Sequence, residues 1–431
     1  MIKKKKLNIA IIGLGNIGTF LYSYLSKFKH QLKKKTNVEL KIAYVSAKNR
    51  KKKRKIKINK KLWLKNYIDA ADKRDVDIIV ELIGGSEGPA KKLVYKALKN
   101  KKHVVTANKA LIAKYGDDLS KIAEKNKVNL EFEAAVCGGV PIVRSIKEGL
   151  IANNITLIKG ILNGTSNFIL SNMEKNNISF NDALINAKSL GYAERNPTSD
   201  LNGEDVSSKL KILSSLCFNS YINHNIYVEG IKDVDQSDII NANKLGYKIK
   251  LLGVSEFKNN KITQRVHPAL IDKYSYIAGI DGVLNAIIID GKPVGQSIIQ
   301  GEGAGPEATT SALVSDISSI LRGNIKYPFS ISSTERKKIK FDSILNHSFS
   351  SYVRIEVLDK HGILSNITST FAKNKVSIKR LIQNPLKSKK YSSIIIITHK
   401  AKDYSLMKTI KSLSKKKYIL KKPKLIRIEN S

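Results

Sequence analysis

Two ionisable residues stand one helical turn apart, Asp205 and Lys209, in the segment Gly191-Tyr192-Ala193-Glu194-Arg195-Asn196-Pro197-Thr198-Ser199-Asp200-Leu201-Asn202-Gly203-Glu204-Asp205-Val206-Ser207-Ser208-Lys209. Pro197, Asn202 and Gly203 favour a loop, and a helix starting near Asn202 sets the acid and the lysine at i and i+4 on one face. A lysine held by such an acid can give a proton to an oxygen that is gaining negative charge. Taken alone, the pair is better read as an ordinary surface contact in a highly charged chain. A second set, Gly13-Leu14-Gly15-Asn16-Ile17-Gly18, fits the G-x-G-x-x-G pattern between a strand and a helix. Gly13 permits the tight turn, Gly15 lets the backbone approach a pyrophosphate, and Gly18 lets helix and strand pack closely. The helix that opens at Asn16 and Ile17 offers free N–H groups to phosphate. After the next strand comes Tyr44-Val45-Ser46-Ala47-Lys48-Asn49-Arg50, with no carboxylate for the ribose 2′-OH of NAD. Lys48 and Arg50 suit the 2′-phosphate of NADP, so NADP(H) is the expected cofactor. If the two cations are only part of a lysine-rich background, NAD(H) stays open.

The elements that must position these residues are legible from periodicity. Leu7–Ile12, Val38–Val45, Val76–Ile83, His103–Thr106 and Val128–Val136 read as strands; Ile17–Phe28, Ala90–Leu98 and Leu111–Asn126 read as helices. Their alternation predicts a parallel sheet with crossover helices. From Asn154 the pattern changes to a strand at Ile155–Leu162, the turn Asn163-Gly164-Thr165, and helices at Asn181–Leu190 and Val206–Leu216. Strands are expected at Ile226–Ile231, Tyr247–Phe257, Ile262–Ile271 and Val283–Ile289. Gly301, Gly303 and Gly305 precede a helix, Ala308–Leu321, expected to pack back on the first unit. Ser332–Ser350 is polar and lysine-rich and reads as a linker to a separate unit. That unit has strand Tyr352–Leu358, helix Ile363–Asn374, strand Val376–Ile382, a turn at Lys387–Lys390, strand Tyr391–Thr398, helix Tyr404–Lys415 and strand Tyr418–Ile428. This is a βαββαβ, ferredoxin-like order. The expected fold class is α/β: a Rossmann dinucleotide-binding domain over residues 1–153, an α+β substrate-binding and dimerisation domain over 154–331, and a ferredoxin-like domain over 351–431.

Composition bounds the function. The 431 residues include 77 Lys and Arg against 36 Asp and Glu, a net charge of +41. Nucleic-acid binding is the sharp reading of that charge. The lysines are spread end to end, however, and the densest run, Lys48 to Lys61, has Trp63 beyond it but no interleaved aromatics for base stacking. A solvated surface that attracts anionic small molecules is the reading adopted, with no nucleic-acid partner. No apolar run approaches a membrane span. Leu7–Ile12 runs into glycines, not into a cleavage site, so no targeting segment is read. Cys137 and Cys217 form no disulfide framework or zinc spacing, which points to a reducing cytoplasm.

The segment from Gly191 to Lys209 resembles the homoserine dehydrogenase signature, in which a Gly-aromatic-small stretch leads to Asn-Pro and then Asp-aliphatic-x-Gly-x-Asp-x-x-x-Lys. Val105-Thr106-Ala107-Asn108-Lys109, Glu133-Ala134-Ala135-Val136-Cys137-Gly138-Gly139-Val140-Pro141-Ile142 and Asn163-Gly164-Thr165-Ser166-Asn167 resemble further stretches of that family. With the glycine fingerprint, the resemblance runs from Leu7 to about Asn324. The final unit resembles an ACT domain through Asp359-Lys360-His361-Gly362-Ile363-Leu364. The resemblance implies reduction of aspartate 4-semialdehyde to homoserine by NAD(P)H in threonine and methionine biosynthesis. It implies Lys209 as proton donor, Asp205 as its orienting partner or a substrate ligand, and Lys109 at the domain junction near cofactor and substrate. Glu194 would bind the substrate amino group, with Tyr192 and Asp200 nearby, and Gly303 would join the cofactor-binding set. Glu133 and the carbonyls of Val136, Gly138 and Val140 would match the family's monovalent cation site, whose oxygen donors suit sodium. Cys137 departs from the Gly or Ala usual there. An aldehyde-oxidising dehydrogenase would use such a cysteine as a thioester-forming nucleophile; the family's loop makes it a small buried residue instead. The ACT unit implies an amino-acid effector, with threonine expected, and a homodimer or homotetramer.

Overall fold

The computed structural model describes residues 6–385 and 390–429, so all but the last residue of the expected Lys387–Lys390 turn lies outside the described residues. The chain begins β1 (Lys6–Ile12), α1 (Asn16–Thr36), β2 (Glu39–Ser46), β3 (Ile78–Glu81), α2 (Pro89–Lys99), β4 (His103–Thr106), α3 (Lys109–Lys125) and β5 (Leu130–Glu131). These strands make a parallel sheet in the order β2-β1-β3-β4-β5. β1 is apolar throughout its centre because it is buried on both faces: Ile9 and Ile11 join Leu21 and Leu25 of α1, while Ala10 and Ile12 join Leu93 and Ala97 of α2. The order reverses between β1 and β3, and the crevice at the carboxyl ends of those strands is where such sheets bind ligands.

The middle of the chain adds β6 (Asn154–Ile161), α4 (Gly164–Asn176), α5 (Phe180–Ser189), α6 (Glu204–Cys217), α7 (Gln236–Lys244), β7 (Tyr247–Lys258), β8 (Lys261–Asp272), β9 (Leu284–Lys292), β10 (Gly295–Glu302) and α8 (Pro306–Leu321). The remainder is β11 (Ser348–Leu358), α9 (Ile363–Lys373), β12 (Ile378–Pro385), β13 (Tyr391–Thr398), α10 (Asp403–Leu413) and β14 (Lys424–Ile428). As expected, α8 returns to the first unit: Leu313, Ile317 and Ile320 share an apolar cluster with Leu21 and Leu25.

Several expectations change. The strand expected over Val128–Val136 is only β5, followed by a tight turn over Glu133–Ala135. The Glu133 N–H donates to the Asp316 carboxylate at 3.0 Å, so it is lost to the sheet. The strand expected at Ile226–Ile231 shrinks to Tyr227–Val228. Helix α4 was expected only as a turn, because its apolar stripe is broken by Ser166, Asn167 and Asn172, which are buried. Asn167 is satisfied there by donating to the Ile280 carbonyl at 3.0 Å. α7 and β10 were not expected at all.

The ACT-like unit is not set apart on a linker. β14 pairs with β8 through Arg427 opposite Ala269 and Ile428 opposite Leu270. One sheet therefore runs β10-β9-β6-β7-β8-β14-β11-β13-β12 through both units. The Glu429 carboxylate accepts from Arg265 at 2.6 and 2.9 Å and lies 3.0 Å from His267, fastening the junction. Within the presumed linker, Arg336 is buried and donates to Ser215 at 2.6 Å and to the Ser220 carbonyl at 2.7 Å. No described helix is long and apolar enough to cross a membrane.

Candidate active site

The glycine fingerprint is built as its spacing requires. Gly13 has φ +110°, and a Cβ there would lie 2.3 Å from the Leu82 carbonyl oxygen. A Cβ on Gly18 would meet the Gly13 carbonyl at 1.9 Å, so α1 packs against the turn only with glycine at that position. Gly15, in contrast, faces open space and caps α1 without a side chain. The first N–H groups of α1, over Asn16 and Ile17, are thus left for an anion. A cavity of about 700 Å³ adjoins this turn, lined by Gly13, Gly15, Ser46, Lys48, Lys52 and Arg54 among others.

Lys48 lines that cavity; Arg50 does not. The Arg50 guanidinium lies 5.4 Å from the centroid of the Trp63 ring. Arg54, which sequence reading missed, stacks on the same ring and donates to the carbonyls of Leu14 and Asn49 at 3.2 and 2.9 Å. It holds the lysine-rich loop over the fingerprint. Glu81 was also missed. It is buried at the end of β3 and accepts from the N–H groups of Ile83 and Gly84 at 2.7 and 3.0 Å and from Thr106 at 2.6 Å. Its carboxylate therefore shapes the loop at the mouth of the crevice.

The signature helix meets the first unit across one carboxylate. Asp205 and Lys209, both buried on α6, pair at 2.8 Å. Lys109, at the start of α3, reaches across the domain junction to the other Asp205 oxygen. Lys209 also donates to the Leu162 carbonyl at 2.6 Å. Asn163 gives its amide to Asp205 at 2.9 Å and to Asp200 at 2.8 Å. Its own oxygen caps α4 by accepting from Ser166 N–H. Asn163 was quoted in a motif but given no role; no local pattern showed that its amide would bridge two acids.

Electrostatics follow from this packing. Burial opposes charge on Lys209, but the Asp205 anion outweighs it and holds the ammonium above the usual lysine range. Burial also opposes the Asp205 charge, and Lys209, Lys109 and Asn163 together hold its carboxyl well below the ordinary value. Asp200 is raised, first by burial and then by the neighbouring Asp205 anion. Glu194 and Tyr192 are exposed on the loop before α6. The Tyr192 ring leans on Phe168 at 5.0 Å, and Glu194 makes no ion pair among the described residues.

The loop after β5 ties Glu133 into the protein. Both Glu133 carboxylate oxygens are taken, by the N–H groups of Val143 at 2.9 Å and Arg144 at 2.7 Å. Burial nevertheless pushes this carboxyl up to about 7. Cys137 and Gly138 turn the loop with φ of +56° and +47°. Gly303 sits against this loop: Gly139 N–H donates to the Glu302 carbonyl at 3.0 Å, and a Cβ on Gly303 would strike Asn285. Cys137 is fully buried, and burial raises its thiol pKa, which suppresses the thiolate a nucleophile needs.

Comparisons agree with this geometry. Residues 13–133 match the homoserine dehydrogenase NAD-binding domain model, 141–318 the homoserine dehydrogenase model, and 351–415 the ACT domain model. The chain is 37% identical to a homoserine dehydrogenase of Neisseria gonorrhoeae, over 99% of each chain. It is also 37% identical to one of Helicobacter pylori, over 99% of this chain and 100% of that one. The crystal structure of a homoserine dehydrogenase from Thiobacillus denitrificans matches with a TM-score of 0.92 and 35% identity, covering 99% of both chains. No comparison supports a thioester-forming dehydrogenase or a nucleic-acid-binding protein. The chain belongs to the homoserine dehydrogenase family, nicotinamide-dependent oxidoreductases that interconvert aspartate 4-semialdehyde and homoserine, and it carries a C-terminal ACT domain.

Proposed function

We propose that this enzyme protonates its substrate through Lys209. The observation that carries the reading is the Asp205 carboxylate held between Lys209 of the substrate unit and Lys109 of the cofactor unit. Bound nicotinamide supplies the hydride that passes to or from the substrate carbon. In reduction the aldehyde oxygen gains negative charge. Lys209 spends two N–H groups on Asp205 and Leu162, which leaves its third for that oxygen. Asp205 keeps Lys209 charged, so the lysine stabilises the developing alkoxide and then gives up its proton. Lys109, half-exposed and sharing the same anion, sets the spacing of the two units around cofactor and substrate. Glu194, exposed and unpaired, binds the substrate ammonium beside Tyr192 and Asp200. The functional division is 1–153, 154–331 and 351–431. Lys209→Met tests the assignment: turnover drops about 100- to 10,000-fold while cofactor binding persists. Retained turnover would exclude Lys209 as the donor.

NADP(H) is the preferred cofactor on this reading, with Lys48 and Lys52 facing the ribose end and Arg54 bracing their loop. A monovalent cation such as sodium fits Glu133 and the carbonyls of Val136, Gly138 and Val140, oxygen donors without thiolate or imidazole. It would brace the loop that carries Cys137. The two buried free cysteines suit a cytoplasmic setting. Threonine is the expected effector, its carboxylate received by the N–H groups that open α9 after Gly362. β12, one of the two edge strands of the long sheet, pairs with a second copy in a homodimer or homotetramer on this reading.

A further inference from the structure

Residues 324–337, which leave α8 on the way to the ACT unit, tie the cofactor unit to the substrate unit away from the reacting groups. The first part of this strap is fastened to the cofactor unit. Asn129 donates to the Asn324 carbonyl at 2.6 Å and accepts from Lys326 N–H at 3.1 Å. Phe329 is fully buried against α3, where a Cβ on Gly116 would lie 2.8 Å from its ring. The Glu124 carboxylate of α3 accepts from the N–H and the hydroxyl of Ser333 at 2.9 and 2.7 Å. The last part is fastened to the turn after α6. Lys337 N–H donates to the Asn219 carbonyl at 3.1 Å, and the Lys337 carbonyl accepts from Tyr221 N–H at 3.0 Å.

Arg336 joins the two attachments. Its Nη2 lies 2.6 Å from the Asp117 carboxylate of α3 and donates to Ser215 of α6 at 2.6 Å and to the Ser220 carbonyl at 2.7 Å. The guanidinium lies 4.2 Å from the centroid of the Phe329 ring. α3 opens at Lys109, and α6 carries Asp205 in its first turn. The two helices therefore run side by side in one direction, with two bridges between them. Asp117 is eight residues beyond Lys109, and Ser215 is ten beyond Asp205. At about 1.5 Å per residue, the Arg336 bridge lies roughly 12–15 Å along the helices from the Lys109–Asp205 bridge. The two bridges differ in stiffness. Lys109 is half-exposed on a flexible stem, whereas Arg336 is a buried planar fork with its acceptors already in place.

We infer that Arg336 is a positioning residue for the reaction: it locks α3 to α6 behind the catalytic pair and so fixes the distance between Lys109 and Asp205. The inference rests on the roles given above to Lys109, Asp205 and Lys209. Rigid helices carry the constraint to the site. A misplacement of about 1 Å at a reacting centre can cost about 100-fold in rate.

The test is a double-mutant cycle on kcat, with the full chain, NADPH and aspartate semialdehyde. Arg336→Met lowers kcat roughly ten- to a hundredfold. Lys109→Met lowers kcat as well, and adding Arg336→Met to it brings no further loss, because the clamp then has no contact to position. Arg336→Lys recovers part of the loss, since it restores a cation facing Asp117. Glu124→Ala frees Ser333 from α3, lowers the urea midpoint and leaves kcat unchanged. If Arg336→Met does not fold, Asp117→Asn replaces it in the cycle: the amide oxygen still accepts from Ile222 N–H, and the charge facing Arg336 is gone. Full kcat in the folded clamp variant overturns the proposal, as does a double variant whose loss is the product of the two single losses. An equal loss in Glu124→Ala also overturns it, by showing that any loosening of the strap has the same effect. Unimpaired kcat in Lys109→Met would overturn the role of Lys109 itself, and the clamp's role with it.

Discussion

Replacing Asp205 with Asn keeps the shape of the side chain and removes the anion shared by two lysines. Lys209 then keeps the Leu162 carbonyl, a neutral acceptor, and loses the anion beside it in a buried site. Burial, which already opposes its charge, is left unbalanced. Its pKa should fall from above the usual lysine range to below it. The sign is fixed by the direction of the reaction. Reduction needs Lys209 protonated, so activity falls as pH rises through its pKa; in Asp205→Asn this basic limb moves to lower pH. Homoserine oxidation needs the neutral amine as base, so its onset moves acid in parallel. The native state loses roughly 3–5 kcal/mol, because one member of a buried ion pair is stranded. Lys109, half-exposed, adds little to that figure. Profiles of kcat in both directions, with urea denaturation of each protein, give all three readouts. A basic limb that stays in place would refute the claim that Asp205 sets the Lys209 proton affinity, even if turnover fell.

Other outcomes follow from the same geometry. Lys48→Glu with Lys52→Glu raises KM for NADPH by about tenfold or more and changes KM for NADH much less, since only NADPH carries the 2′-phosphate; a parent enzyme that clearly prefers NADH would show these lysines to be background. Cys137→Ala remains an active reductase, because hydride transfer to an aldehyde needs no thiol; a folded but inactive variant would revive the thioester mechanism. Threonine inhibits the parent enzyme at millimolar levels, and Gly362→Asp relieves the inhibition while Gly362→Ala, which shares the strain at φ +79° without the charge, relieves it less. No inhibition and no binding of threonine to the parent would end the effector assignment. Truncation after Ser332 is a poor substitute for these variants, since it strips β14 from β8 and leaves Arg265 and His267 without the buried Glu429.

The sequence by itself determined whatever is encoded within a few residues. A strand followed by three glycines at fixed spacing fixes a phosphate-binding turn, because backbone clearance at Gly13 and Gly18 is a local matter. Helical spacing put Asp205 and Lys209 on one face, and alternation predicted the βαββαβ order of the last unit. Only the tertiary structure decided which distant groups meet. Lys109 and Asp205 share no local pattern, and their pairing comes from the packing of α3 beside α6. Asn163 bridges Asp200 and Asp205 for the same reason, and Arg54 reaches Leu14 only once the lysine-rich loop has folded back. Helix α4 escaped periodicity because its buried face carries asparagines satisfied by remote carbonyls. The C-terminal unit read as separate because a strand's pattern tells which face is buried, not which neighbour takes its edge. β14 found β8, and the Arg265–Glu429 contact that seals the seam joins residues 164 positions apart.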